Sequence, residues 1–465
     1  MGCTLSRTQD ENRVEQVLAH LGDTFVFVPG LRLPKSVKLN TALGGFMSNE
    51  LLERFAILRA RIITVSARGY FPAKSVKRKK QTHGRMNVLA LQKALEDYLP
   101  LLQGLTEQGC YCSAVEFAWN NQEDEKEETV LPSANYELLS VLHLLGMLLM
   151  LEANRTLTPK SPEAGHPAKV SEEDKKEAIE TLLKSARVLE RAITIIDCED
   201  PELKTELPMD LQIAVLKALQ MQALGQVVEI QLGFAIENVS ATLAVKRRLA
   251  CEEVGYWQQA LDNLTEVNLS DYWGKKHVLY LKWKSAEAKA AAYYYHGLIL
   301  DERNEEKEHA NATCSLKAAK RLLKDSLKLR EEFSAAAPPT RAPPLWGAAK
   351  YLGEKIPRDS HRRSFGTEDV HGLHKNSTRT PELPNFALSL KAEVYELPPI
   401  DEAWLFETAA KFDQQSVDER PQDKLGSKIN KPLPTEDAWL RETASKFEQS
   451  MDERTRNKSR SKMNP

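Results

Sequence analysis

The sequence predicts an all-α protein, a curved helical solenoid with a tetratricopeptide-like core and a short N-terminal β element. Three observations predict it. Apolar residues recur at steps of three and four from Leu51 to Leu329. Only Thr24 to Leu33 has the β-branched and aromatic content of a strand. An alanine-rich segment, His277 to Asp301, is followed by a turn and a second periodic segment, a helix–turn–helix of tetratricopeptide type without a fixed repeat period.

Each element follows from its residues. Thr24 to Leu33, broken by Pro29-Gly30, reads as one strand or short hairpin. Leu51, Phe55, Leu58, Ile62 and Val65 form one helical stripe, and Leu91, Leu95, Tyr98 and Leu102 form the next. Tyr136 to Asn154 is apolar nearly all round, which places it at the centre of a bundle. Arg155 to Lys169 holds Pro159, Pro162, Gly165 and Pro167 and is a loop. Ser171-Glu172-Glu173-Asp174 has the pattern of a capped helix start. Leu182, Ala186, Leu189, Ile193 and Ile196 follow on one face. Leu216 to Phe234 and Val254 to Leu264 give two further helices. In His277 to Asp301, small residues let helices approach and Tyr293-Tyr294-Tyr295 fill the adjoining layer. Leu316 to Leu329 follows the turn at Glu302 to Glu306. Ala335 to Pro344 ends the helical region, and the chain beyond Pro357 reads as an extended arm or disordered tail.

Composition narrows the function. Lys+Arg 64 against Asp+Glu 66 gives a net charge of -2, so no global excess draws the chain to nucleic acid. Cys3, Cys110, Cys112, Cys198, Cys251 and Cys314 are scattered, with no CxxC pair, and read as free thiols in a reducing compartment. The longest apolar run, Leu138 to Leu151, is shorter than the roughly 20 residues of a bilayer span. There is no nucleophile elbow, GxGxxG, P-loop or HExxH, and Gly44-Gly45 has no adjacent Lys-Ser. His361, His371 and His374 gather in a polar stretch, but no carboxylate or thiol spacing completes a metal site. The expectation is no enzyme, no cofactor and no metal.

Two features point to a membrane. Met1-Gly2-Cys3-Thr4-Leu5-Ser6 fits the myristoylation pattern, with Gly2 as acceptor and Cys3 as a neighbouring palmitoylation site. One acyl chain binds marginally, whereas two hold stably. Lys74, Lys77, Arg78, Lys79, Lys80 and Arg85 form the densest basic cluster and suit an anionic lipid surface, with a solvated loop or a nuclear-import-like run as the alternative readings.

The tail repeats itself. Leu397 to Arg420 recurs as Leu433 to Arg454, with Trp404 matching Trp439 and Phe412 matching Phe447. Each copy reads as a short amphipathic helix, marginal alone, and two readings stay open: a recent duplication without its own function, or tandem motifs that dock on a surface.

Several segments together resemble the BRO-one domain family, that of the ALIX amino-terminal arm and BROX. They are Tyr136-Glu137 through Val141-Leu142-His143-Leu144-Leu145-Gly146, then Leu224 to Glu229, then Ala244 to Ala250 followed by Tyr256-Trp257. Lys284 to Leu300 and Tyr351 to Pro357 complete the set, in order, over roughly residues 20–395. The Met1-Gly2-Cys3 start is similar to short plant members. His143 stands where an Asn is usual, and Gly225 and Val228 also depart from the family pattern.

The resemblance implies three parts: a lipidated segment 1–19, a BRO-one-like domain 20–395, and a polar tail 396–465 with the duplicated motif. It implies a concave apolar groove that takes the C-terminal helix of an ESCRT-III subunit, with contacts near Leu232, Val245 and Leu249. The expected role is a lipid-anchored endosomal adaptor in multivesicular-body sorting. It would sit peripherally on the cytoplasmic face of endosomal or plasma membranes and be partly cytosolic. Neither nucleic acid nor a small-molecule substrate is expected. No long second helical arm and no PTAP-like or YPxL-like motif follows, which argues against a multi-partner scaffold. Two alternatives are a generic helical-repeat scaffold at the plasma membrane and a metal-dependent enzyme using the tail histidines.

Overall fold

The predicted stripes become helices in chain order. α1 (Asn49–Gly69) and α2 (Lys80–Glu107) are followed by strands β1 (Phe117–Asn120) and β2 (Glu128–Leu131). Then come α3 (Ala134–Thr156), α4 (Glu172–Cys198), the short α5 (Pro201–Glu206), α6 (Ile213–Glu237), α7 (Leu243–Leu264), α8 (Trp273–Asp301), α9 (Glu306–Ala335) and α10 (Gly347–Glu368). This is a computed structural model. It describes residues 24–39, 43, 47–69, 80–107, 115–122, 127–158, 170–265, 267–269, 273–303, 305–337, 339–340, 345, 347–368 and 380–404. The chain divides into Met1–Thr408 and Ala409–Pro465, and every described residue belongs to the first unit.

Apart from the short α5, each helix packs on the next long one, from α1 to α10. That nearest-neighbour pattern is the signature of a solenoid, in which each helix pair buries a face its successor covers. α3 and α6 are the innermost. Both are long and apolar enough to pass as membrane spans, yet 94% and 72% of their most apolar stretches lie buried within the protein. A helix apolar on every side needs neighbours on every side. Gly225 on α6 admits the Trp257 indole of α7, since a β-carbon there would lie 3.1 Å from the ring.

Helix starts follow the sequence signals. Ser171 accepts the Asp174 N–H at 3.0 Å at the head of α4, where three acids occupy the first turn. Ser133 caps α3 and Thr242 caps α7 in the same way. Such a cap contributes about 1 kcal/mol.

Three expectations change. The N-terminal β element is not a strand. Residues 24–33 thread through the core in extended form, and side chains satisfy the backbone. Asn154 Oδ1 accepts from Phe25 and Val26, Gln222 donates to Phe27 O, and Gln122 donates to Gly30 O. Only the exit of this thread pairs with a strand, through Lys35 N to Ala118 O and Asn120 N to Leu33 O. The hairpin lies instead at β1–β2, with Phe117 opposite Leu131.

The second change concerns the end of the helical stack. Ala335 to Pro344 does not end the helical region, because α10 follows it and carries Pro357 inside. Leu352, Ile356 and Ser360 form a buried stripe, and that packing outweighs the missing N–H of one proline.

The third concerns the tail. Residues 380–404 are an ordered belt, not a disordered arm. Phe386, Leu388, Leu390 and Ala392 alternate inward with exposed neighbours, the period of an extended chain on a surface. The belt passes Tyr256 of α7, Arg187 of α4 and Pro100 of α2. It ends on Trp404, which is 2% exposed within the core. The expected boundary at 395/396 therefore falls inside a packed segment.

Candidate functional site

The face around α7 is built from its first turns. α6 stops at Asn238, whose Oδ1 accepts the Ser240 N–H at 2.9 Å and the Ser240 hydroxyl at 2.8 Å. Ala241 N donates to Asn238 O, and Thr242 Oγ1 accepts from Val245 N. This fixed corner leaves Val239 99% exposed. On the helix that follows, Val245 is 47% exposed and Leu249 is half-buried one turn further.

Of the three groove residues expected from the sequence, Val245 and Leu249 share this stripe. Leu232 does not. It is 1% exposed, inside an apolar cluster with Ala250, Leu316, Leu352 and Ile356. The correction has a physical cause: on α6, apolar on every side, residue type gives no sign of which positions reach the surface.

Lys246 and Arg248 flank Val245 on the helix, Arg247 turns away from it, and none of the three forms an ion pair with a described residue. The face is apolar along one stripe and basic beside it. Burial pushes the nearby Cys251 thiol up to about 11, so it stays protonated and unreactive at neutral pH.

The belt borders this stripe. Leu383 and Phe386 pack on the same cluster as Leu243, Leu249 and Ile236. Leu388 lies against Gly255, where a β-carbon would meet it at 2.8 Å. The Tyr256 hydroxyl donates to Leu390 O and accepts from Leu390 N, both at 2.8 Å. Ser389 donates to Glu252 at 3.2 Å.

At the other end, the Trp404 indole N–H donates to Leu101 O at 2.8 Å, and Asp401 N donates to Pro100 O at 3.2 Å. The ring lies where a β-carbon on Gly104 would be. Asp401 also pairs with Arg54 of α1 at 2.6 Å. The described start of the first motif copy, residues 397–404, thus docks in cis on α2 through Asp401 and Trp404. The signal for this was weak: Gly104 near the end of α2 and a two-residue alternation in a polar region.

Buried ion networks were invisible in the sequence because their members are far apart along the chain. Arg32 binds both Asp210 oxygens at 2.8 Å, donates to Ser140 and contacts the Tyr136 hydroxyl. Glu137 accepts from Arg59 at 2.8 Å, Trp119 at 2.5 Å and Tyr98 at 3.1 Å. Lys284 joins Glu229 at 2.6 Å and Glu287 at 3.1 Å beside a recess lined also by Lys175, Trp283 and Arg330. Burial and then the Glu229 charge push the Glu253 carboxyl well up; it accepts from Trp257 Nε1 at 3.2 Å. Each network ties together helices distant in sequence and uses its charges internally, which is the geometry of a structural clamp.

Other expected site residues lie outside the described residues: Gly2, Cys3, Lys74, Lys77, Arg78, Lys79, Phe412, Trp439 and Phe447. Lys80 and Arg85 fall in the first turns of α2, with their side chains undescribed. His361 is exposed on α10, while His371 and His374 are outside. Among the described residues, no group of three or more His, Cys, Asp or Glu is placed to hold a metal.

The BRO1-like domain family model matches residues 75–379, well over half of the chain. The chain belongs to the BRO1-like domain family. No curated protein matches it in sequence. Among solved structures, this BRO1-like chain resembles a Bro1 domain described for endosomal targeting, with a TM-score of 0.51 and 13% identity over 84% of this chain and 98% of that one. It resembles ALIX in complex with the SIVmac239 PYKEVTEDL late domain, with a TM-score of 0.56 and 14% identity over 84% of this chain and 53% of that one. It also resembles the BRO1 domain of ALIX in complex with CHMP4C, with a TM-score of 0.51 and 14% identity over 81% and 95%. At these identities the likeness is one of fold, and the helical BRO1 fold is shared.

Proposed function

We propose that this BRO1-like protein is a non-enzymatic, lipid-anchored endosomal adaptor. It binds the C-terminal amphipathic helix of an ESCRT-III subunit during multivesicular-body sorting. The single observation that carries the binding reading is the Val245–Leu249 stripe, apolar and solvent-facing on a rigid helix. The similar ALIX BRO1 domain has been solved in complex with CHMP4C, an ESCRT-III subunit, which supports the choice of partner. An apolar stripe of this kind suits helix-in-groove recognition. The Gly2 and Cys3 acylation pattern supplies the anchor, and the basic segment Lys74 to Arg85 adds attraction to anionic lipid. Anchoring concentrates the domain on the membrane, so a weak groove suffices.

Pull-down with ESCRT-III tail peptides tests the partner. The wild-type protein retains the peptide, while Val245→Asp and Leu249→Asp lose it. Retention by both variants at the wild-type level would overturn the groove. A scaffold acting elsewhere would retain none of these peptides even as wild type.

A further inference from the structure

The α7 stripe is short. The belt crosses α7 at Glu252, Gly255 and Tyr256, so the open part runs only from the Asn238–Thr242 corner to Leu249. From Leu243 to Cys251 the helix rises about 12 Å. Both ends of this stretch carry apolar groups that no groove residue accounts for. Val239 stands fully exposed at the corner, on a loop held by the Asn238 side chain. Leu383 and Phe386 of the belt rest half-buried on the cluster that also receives Leu249. The cations Lys246 and Arg248 lie along the side.

We propose that these groups form one composite seat with two ends. The belt residues Leu383 and Phe386 make its closed end and Val239 its open end. Its occupant is an amphipathic helix that engages about two turns. The charge beside the stripe selects the occupant further: acidic residues flanking its apolar face meet Lys246 and Arg248. This rests on the helix-binding reading given above. It adds that the belt, outside the helical stack, contributes contact residues and limits how much of the partner helix is read.

Fluorescence anisotropy with a labelled C-terminal helix peptide of an ESCRT-III subunit tests it on the full-length protein. Val239→Asp is expected to weaken binding about tenfold with an unchanged circular dichroism melt, because the side chain touches solvent alone. Phe386→Ser is expected to weaken it by a similar factor. Asn385→Glu, an exposed change on the belt, provides a second variant that leaves the packing intact, and it is expected to weaken an acidic peptide through repulsion. A peptide trimmed to the two turns facing Val245 and Leu249 should retain the affinity of the full helix. If Val245→Asp abolishes binding while Val239→Asp and Asn385→Glu bind as wild type, the two-ended seat is wrong and the groove stands. If Val245→Asp binds as wild type, the groove reading falls and the seat falls with it.

Discussion

Single residues in the core show how much depends on partners. Glu137 is buried and accepts from three donors on three elements, among them the Arg59 guanidinium. Burial is the largest single influence and would lower the Arg59 pKa, but the Glu137 and Tyr98 charges and hydrogen bonds together outweigh it and raise the value. Glu137→Ala would leave Arg59 buried without its counter-ion, so a loss of about 3–5 kcal/mol is expected in urea unfolding. A change below 1 kcal/mol would show that water reaches Arg59. His143 is the opposite case. It is fully buried on α3, and neither ring nitrogen has a hydrogen-bond partner among the described residues. Burial lowers its pKa to about 4, from 6.5 in the unfolded chain. The unfolded chain therefore takes up the proton first. The stability that neutral His143 permits is complete above pH 6.5 and is lost as pH falls toward 4. The full effect is about 3 kcal/mol at 1.36 kcal/mol per pH unit. His277, lowered to about 3 by burial, adds to the same acid limb. His143→Leu is expected to raise the unfolding midpoint and flatten this limb; an unaltered pH slope would mean that His143 is hydrated when folded.

At the scale of elements, the belt is the feature that pattern reading missed. The indole of Trp404 fills the space a side chain on Gly104 would need, so each residue presupposes the other. Trp404→Ala is expected to cost about 3–5 kcal/mol, as for other buried tryptophans. Gly104→Ala would expel the ring and cost a comparable amount. Made together, the two changes should cost much less than their sum, because either alone empties the same slot. Additive costs in a double-mutant cycle would show that the slot is not shared. The sequence did reveal that Trp404 belongs to a duplicated motif, since it recurs at Trp439. It gave no sign that Trp404 docks on its own α2. The helices themselves were legible, because amphipathic stripes such as Leu182 to Ile196 form locally. The proline-rich stretch Ala335 to Pro344 misled as the end of the helical region, because the helix that follows it carries Pro357, a cost that only the burial of Leu352 and Ile356 offsets.

For the whole molecule, the proposed anchor and the proposed groove are separate devices, so they should fail separately. Gly2→Ala is expected to move the protein from the membrane fraction to the cytosol while the purified chain still binds the ESCRT-III peptide. Retention on membranes in cell fractionation would exclude myristoylation as the anchor. The sequence by itself determined the all-α class, the order of the helices, the capped start at Ser171 and the presence of a duplicated motif. These depend on contacts within a few residues or between consecutive helices, and local periodicity records such contacts. Only the tertiary structure decided that residues 24–33 thread the core without becoming a strand. It alone decided that Leu232 is interior, that Arg32, Arg59 and Lys284 find their carboxylates, and that residues 380–404 bind back across α7, α4 and α2. Each of these joins groups far apart in sequence. Their energy comes from burial and charge pairing in three dimensions, and no short window of residues contains both partners.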